Sequence, residues 1–386
     1  MKIGINGYEA VVPRFGHNKE TGLPNRVGSG EFCFQLLSAL SRLDKNNEYS
    51  VFLPVKPTSD MPKETGKWKY IVFHSKKLWT LLGLSKKLKD YKLDVFFSPT
   101  HYLPLSVSSP SVISILDVSY LYFPNLFKKK DLYQLKFWGG YSIRKAQKII
   151  TISNSSKNDI IKMYGVNSDK VSVVYPGIKE LKTENLKLKS MEELKKKFGI
   201  SSSYILFVGT LQPRKNIIKL IEAFSKLKTE NLKLKDNLEL VIVGRKGWQF
   251  EEILNAPKKY GVEDRVKFLD SVTDEDLPSL YKNALCFCLP SLYEGFGLPI
   301  LEAMQYGCPV ATSNVSSLPE AGGDAALYFD PENAEDIKNS LESIIQSSEL
   351  RDKLIKMGYE QVKKFSWEES AKQTLKVLEE IGNKHE

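Results

Sequence analysis

Two doubly wound α/β domains are the fold class this sequence predicts, and three observations predict it. Short apolar runs alternate with stretches of helical period, as in mostly parallel sheets covered on both faces. The alternation comes in two series, separated by a polar, lysine-rich stretch over residues 179–200. The chain has 386 residues, enough for two domains at about 100–200 residues each. The expected division is a first domain over 1–178, a linker and start of the second domain over 179–200, a second domain over 201–364 and a terminal helix over 365–386.

In chain order, KIGIN reads as the first strand. VGSGEFCFQLLSALSRL then reads as a glycine turn opening a helix, with apolar positions recurring every three to four residues. YSVFLP, YIVFHS, DVFFSP, SVISILD, KIITIS and KVSVVYPG supply six further strands. The second series begins at YILFVGT and continues through LELVIVG, VKFLDS, ALCFCLP, CPVATS and ALYFD. Its helices are expected at NIIKLIEAFSKL, DEDLPSLYKN, LPILEAMQYG and NAEDIKNSLESII. The tail from residue 345 is helical in pattern, with a break near Phe365 and Trp367.

Composition excludes several classes. Apolar residues make up 42 % and charged residues 26 %, as in a folded globular chain. No run of 18 apolar residues is present to span a bilayer. MKIGINGYEA lacks the apolar core of a signal peptide. Cys33, Cys286, Cys288 and Cys308 do not form a disulfide framework, so a reducing cytoplasm is expected. With four histidines and no ligand spacing, no metal site is expected. The net charge of +10 admits an anionic membrane, a phosphorylated substrate or nucleic acid; for nucleic acid, no recognition module accompanies it.

Open α/β domains bind ligands beyond the carboxyl ends of their strands, and two of them would face a common cleft. The polar residues at those ends are therefore the candidate site. In FVGTLQPRKN a strand ends at Gly209, and Arg214 and Lys215 stand at a helix start. Free N–H groups and two cations there suit a diphosphate. In VGRKGW, Gly244 permits close backbone approach. In PSLYEGFGLPILEAMQYG, Glu294 falls in a loop and Glu302 on the first turn of the following helix. Pro299 suits the helix start and Gly307 its stop. The amides of Gly295, Phe296, Gly297 and Leu298 are placed to cradle an anion. In the first domain, Gly28, Ser29 and Gly30 put flexible backbone at a helix start, His101 follows one strand and Asp117 ends another.

GTLQPRKN, VGRKGW, PSLYEGFGLPILEAMQYGCPV and SSLPEAGGDAALYFDP, with SPTHYLP and TISNSSKNDI before them, resemble the retaining GT-B-fold glycosyltransferases with an E-x7-E pair. Bacterial mannosyltransferases of polysaccharide assembly belong to that family. The resemblance implies that the second domain binds a nucleotide-diphosphate sugar. Arg214 and Lys215 would meet the diphosphate, Glu302 the ribose and Glu294 the transferred sugar. Residues 296–299 would lie near the sugar and phosphates, and residues 28–30 would close over the diphosphate from the acceptor side. It further implies that a terminal helix returns to the first domain. The donor expected is GDP-mannose, with a UDP-hexose as the alternative; no other cofactor is expected. The acceptor is a glycan or a lipid-linked sugar. The chain departs from the pattern at Leu116, where many relatives have a histidine able to donate a hydrogen bond, and at Thr210, where some have arginine.

Other readings compete: an NAD-dependent oxidoreductase, lacking here the G-x-G-x-x-G turn, a nonenzymatic nucleotide-sugar binder, and an epimerase or hydrolase on the same fold. Residues 75–92, SKKLWTLLGLSKKLKDYK, pair lysines with leucines and Trp79. They are expected either to pack on the sheet or to lie on an anionic membrane. The second choice would set Trp79 at the headgroups and Lys76, Lys77, Lys86 and Lys87 at lipid phosphate. The expected location is accordingly the cytoplasm, with the inner face of the cell membrane as an extension.

Overall fold

A computed structural model describes residues 1–13, 16–18, 21–76, 78–179, 188–200, 203–227, 238–270 and 272–383. The chain forms two units, Met1–Gly177 together with Phe365–Glu386 (unit 1) and Ile178–Lys364 (unit 2).

Unit 1 holds a seven-stranded sheet: β1 Lys2–Asn6, β2 Glu48–Leu53, β3 Trp68–Val72, β4 Val95–Ser98, β5 Ser111–Ser114, β6 Lys148–Thr151 and β7 Val171–Val173, in the order β3-β2-β1-β4-β5-β6-β7. Every pairing is parallel. Unit 2 holds β8 Tyr204–Val208, β9 Glu239–Val243, β10 Val266–Leu269, β11 Cys286–Leu289, β12 Val310–Ser313 and β13 Ala326–Phe329, in the order β10-β9-β8-β11-β12-β13. These pairings are parallel too. Central strands β4, β9, β11 and β12 are buried along their whole length, as strands covered on both faces must be. Cys286 and Cys288 are two residues apart in β11, and all four cysteines are free and buried.

The helix Ser29–Leu43 turns Phe32, Leu36, Leu37 and Leu40 inward. Against it packs the last helix, Trp367–Gly382, which also touches β4, β5 and β6. Ser366 caps that helix by accepting from the Glu369 amide, and Trp367 meets Phe32 with ring centroids 5.7 Å apart. Unit 1 is thus built from both ends of the chain.

Within 179–200, the stretch expected as linker and start of the second domain, stands a helix, Met191–Phe198, closed by a capping box between Ser190 and Glu193 and stopped at left-handed Gly199. It is tied into unit 2 by Asp276, which holds Lys197 at 2.6 Å and also pairs with Lys189. Residues 180–187 of that stretch lie outside the described residues. In residues 75–92 the apolar positions divide, with Leu78 and Leu82 exposed. Trp79, Leu81, Leu84 and Leu88 are buried. The Trp79 indole stacks on Phe73 at 4.7 Å and donates to the Phe73 carbonyl. The Trp79 indole is therefore core and not set at headgroups, and the buried face of the segment packs inward. Lys76 and Lys86 are exposed and Lys87 pairs with Asp90; Lys77 lies outside the described residues. No described helix is long and apolar enough to cross a membrane.

Candidate functional site

In unit 2 the strand order reverses at β8, which lies between β9 and β11. The loops leaving the carboxyl ends of β8 and β11 therefore diverge from a shared edge, the place where open α/β sheets hold ligands.

After β8 the backbone runs against the loop that follows β9. Gly209 donates to the Val243 carbonyl and Leu211 to that of Arg245. A Cβ on Gly244 would stand 1.9 Å from the Gly209 carbonyl oxygen. The close approach that Gly244 permits is thus to the protein's own backbone. A 3-10 turn, Pro213–Lys215, then presents both cations. It leads through left-handed Asn216, whose side chain donates to the Pro331 carbonyl, into the helix Ile217–Ser225.

After β11 comes Glu294, 8 % exposed, and the two cations close on it. The Lys215 ammonium is 2.5 Å from Oε1, and Arg214 Nη1 is 3.1 Å from Oε2. Ser291 donates to Oε1 at 2.6 Å. Arg214 also donates to the Tyr293 carbonyl and accepts from the Leu292 amide through its own. The Glu294 backbone is held in turn. Its N–H donates to Ser316 Oγ, and its carbonyl accepts from Ser317 Oγ. Ser316 adopts φ +52°, a strained conformation for a residue with a side chain. Burial alone would favour the neutral acid. The Lys215 ammonium and the Arg214 guanidinium outweigh it and hold the carboxyl at about 2. Glu294 is therefore a carboxylate at neutral pH, an acceptor and not a proton donor.

Past Glu294, Gly295 and Phe296 are buried, and Gly297 at φ +110° opens the helix Leu298–Gln305 with Pro299 in its first turn. Glu302 lies in the second turn of that helix, one turn later than the sequence reading placed it, because the helix starts at Leu298. It accepts from the Tyr281 hydroxyl at 2.9 Å. Gly307, at φ +68°, ends the segment.

In unit 1, residues 28–30 follow β1, His101 follows β4 and Asp117 follows β5. The three strands are neighbours and parallel, so these residues share one sheet edge. Gly28 takes φ +54°, and Ser29 donates to Glu9 at 3.1 Å. Arg26 fastens the approach to that turn, donating to Ala10, Thr58 and Asp60. His101 is half-buried with its ring edge-on to Tyr102. Asp117 accepts from the Ser119 amide, bending the chain into the short helix Ser119–Tyr122.

Sequence reading missed the serines. Ser316 and Ser317 lie 22 and 23 residues beyond Glu294, and nothing local marks them as its partners. Ser291 had a signal, since it stands three residues before Glu294 in the same loop.

Among protein-family models, one described as "Glycosyl transferases group 1" matches residues 190–361, and "Glycosyltransferase Family 4" matches residues 28–180. The O-antigen chain mannosyltransferase B of Escherichia coli is 33 % identical over 288 residues, 75 % of this chain and 74 % of that protein. The chain belongs to the glycosyltransferase group 1 family. O-antigen chain mannosyltransferase RfbU of Salmonella typhimurium is 28 % identical over 284 residues, 73 % of each chain. Among solved structures, Anabaena HepE in complex with UDP-glucose superposes with a TM-score of 0.70 at 18 % identity, covering 98 % of this chain and 100 % of that one. The two parallel-sheet, Rossmann-like units of this glycosyltransferase are the GT-B fold, and the protein is a transferase enzyme. The group 1 match contains Arg214, Lys215, Glu294 and Glu302, while the Family 4 match begins at Gly28.

Proposed function

We propose that this glycosyltransferase moves mannose from GDP-mannose to a glycan or lipid-linked acceptor, with retention of configuration at the anomeric carbon. One observation carries the reading: a buried carboxylate, Glu294, bridges Arg214 and Lys215 at the switch point of unit 2. The two cations are then the diphosphate clamp. As the bond from the anomeric carbon to the phosphate oxygen breaks, its electron pair stays on the oxygen. Arg214 and Lys215, held in place beforehand, stabilise that charge where it develops. Glu294 orients them and, as a carboxylate, accepts hydrogen bonds from the sugar hydroxyls. Glu302 takes the ribose hydroxyls. The acceptor oxygen attacks the face the leaving group departs from, and its proton passes to the departing phosphate oxygen. In unit 1, residues 28–30 are the donor-binding candidates, and His101 and Asp117 are further catalytic candidates. The mannose donor rests on the two mannosyltransferase relatives.

A donor panel tests this. GDP and GDP-mannose are expected to raise the melting temperature, and mannose transfer to give an α-linked product by NMR. Protection by UDP and not by GDP would overturn the donor, and a β-linked product would overturn retention.

A further inference from the structure

Glu302 stands on a helix, and a helix fixes only where a side chain starts. Rotatable bonds separate its carboxylate from the backbone. Ordering them costs entropy at each binding event unless something orders them beforehand. Tyr281 supplies that order. It comes from the helix Leu277–Asn283, which leads into β11. Its side chain is fully buried. Its ring meets Phe287 of β11 edge-on, with centroids 5.6 Å apart, and stacks on Tyr306 at 5.9 Å, within 12° of parallel. Between those two rings the hydroxyl reaches Oε2 of Glu302 at 2.9 Å. Burial, and after it the negative charge of Glu302, push this phenol well above its ordinary pKa. The hydroxyl keeps its proton and donates it to the carboxylate.

On the reading that Glu302 takes the ribose hydroxyls, we propose that Tyr281 is its positioning residue, aiming the carboxylate at the ribose. Being fully buried, Tyr281 touches no part of the donor and acts through Glu302 alone. An ionised carboxylate has about four acceptor sites, so one bond from Tyr281 leaves capacity for the ribose. A hydrogen bond to a charged acceptor is short and directional, so it sets the plane of the carboxylate as well as its place. Tyr281→Phe keeps both ring contacts and deletes the donor. Glu302 then samples other rotamers, and the ribose meets a carboxylate it must first order.

The ribose is common to GDP and UDP, so the test holds for either base. Isothermal titration compares GDP and UDP with their 2′,3′-dideoxy forms on the parent, Tyr281→Phe, Glu302→Ala and the double variant. The parent is expected to prefer the ribose form by about tenfold or more, as a site built around a hydroxyl does. Tyr281→Phe should lower that preference by roughly threefold or more while binding the dideoxy form as the parent does. Glu302→Ala should remove most of the preference. Adding Tyr281→Phe to it should change nothing further, since no carboxylate is left to position. Tyr306→Leu loosens the stack from its half-buried side. It should give a smaller loss in the same direction and serves if Tyr281→Phe does not fold. A preference unchanged in these variants would overturn the proposal. So would equal weakening of the ribose and dideoxy forms, which marks a structural role, or a further loss in the double variant. A parent that binds both forms alike, or neither nucleotide, would overturn the Glu302 reading itself. That result is distinct from a discriminating parent whose Tyr281→Phe variant discriminates equally.

Discussion

At Glu294 burial and charge pull in opposite directions. Burial favours the neutral acid, but two cations and a serine hydroxyl hold the carboxyl at about 2. A carboxylate whose folded value is depressed stabilises the native state above its unfolded value. That contribution is lost as pH falls through the folded value. The window here runs from about 4.5 down to about 2, and the contribution is on the order of 3 kcal/mol. Glu294→Gln removes it and leaves Lys215 buried without its counter-charge, at a cost of about 3–5 kcal/mol near neutral pH. The melting-temperature gap between parent and variant should therefore narrow on acidification from pH ~5 toward ~3. A gap independent of pH would contradict the pairing. Adding Lys215→Met to Glu294→Gln should recover part of the loss, because the unpaired charge is then gone. That Glu294, Arg214 and Lys215 follow strand ends was legible in the sequence, because glycine or proline stands beside each. Their mutual pairing was not, since it joins loops about 80 residues apart.

Among the described residues, all thirteen strands were legible, since short runs such as LELVIVG have no solvent face to interrupt them. The helix Glu251–Tyr260 was not read, because Pro257 inside it breaks the local signal. The helix Met191–Phe198, in the stretch read as linker and start of the second domain, was not read as a helix for want of an apolar stripe; only Leu194 is buried in it. The glycines of unit 2 tell what the strand ends require. Gly244→Ala drives a methyl into the Gly209 carbonyl, and backbone cannot rotate away. It should destabilise the chain by at least 1–3 kcal/mol and weaken donor binding, because Arg214 and Lys215 ride on the displaced loop. Gly66→Ala, which meets nothing within 4 Å, should change stability by less than about 0.5 kcal/mol. Equal melting curves for the two variants would remove the packing role given to Gly244.

For the molecule as a whole, the chain enters unit 2 at Ile178 and returns to unit 1 at Phe365. Unit 1 therefore needs its last segment. A Cβ on Gly177 would stand 2.0 Å from the Trp367 amide nitrogen, so the two crossings are packed together. Truncation after Lys364 removes the helix packed on Ser29–Leu43, Phe32 included, and should abolish the unit 1 unfolding transition in calorimetry while that of unit 2 survives. Loss of both transitions, or of neither, would contradict this division. Both the terminal helix and the helix Ser29–Leu43 were legible from their apolar positions; that the two pack on one another was not, because apolar positions alone do not name a partner. The central claim is that Arg214 and Lys215, fixed by Glu294, hold the diphosphate of the donor. Isothermal titration with GDP-mannose tests it most directly, on the parent and on Arg214→Ala and Lys215→Ala. The account predicts saturable one-to-one binding by the parent and a loss of roughly tenfold or more in each variant, at about 1.5–3 kcal/mol per charge-assisted contact. Binding of equal strength in parent and variants would contradict it.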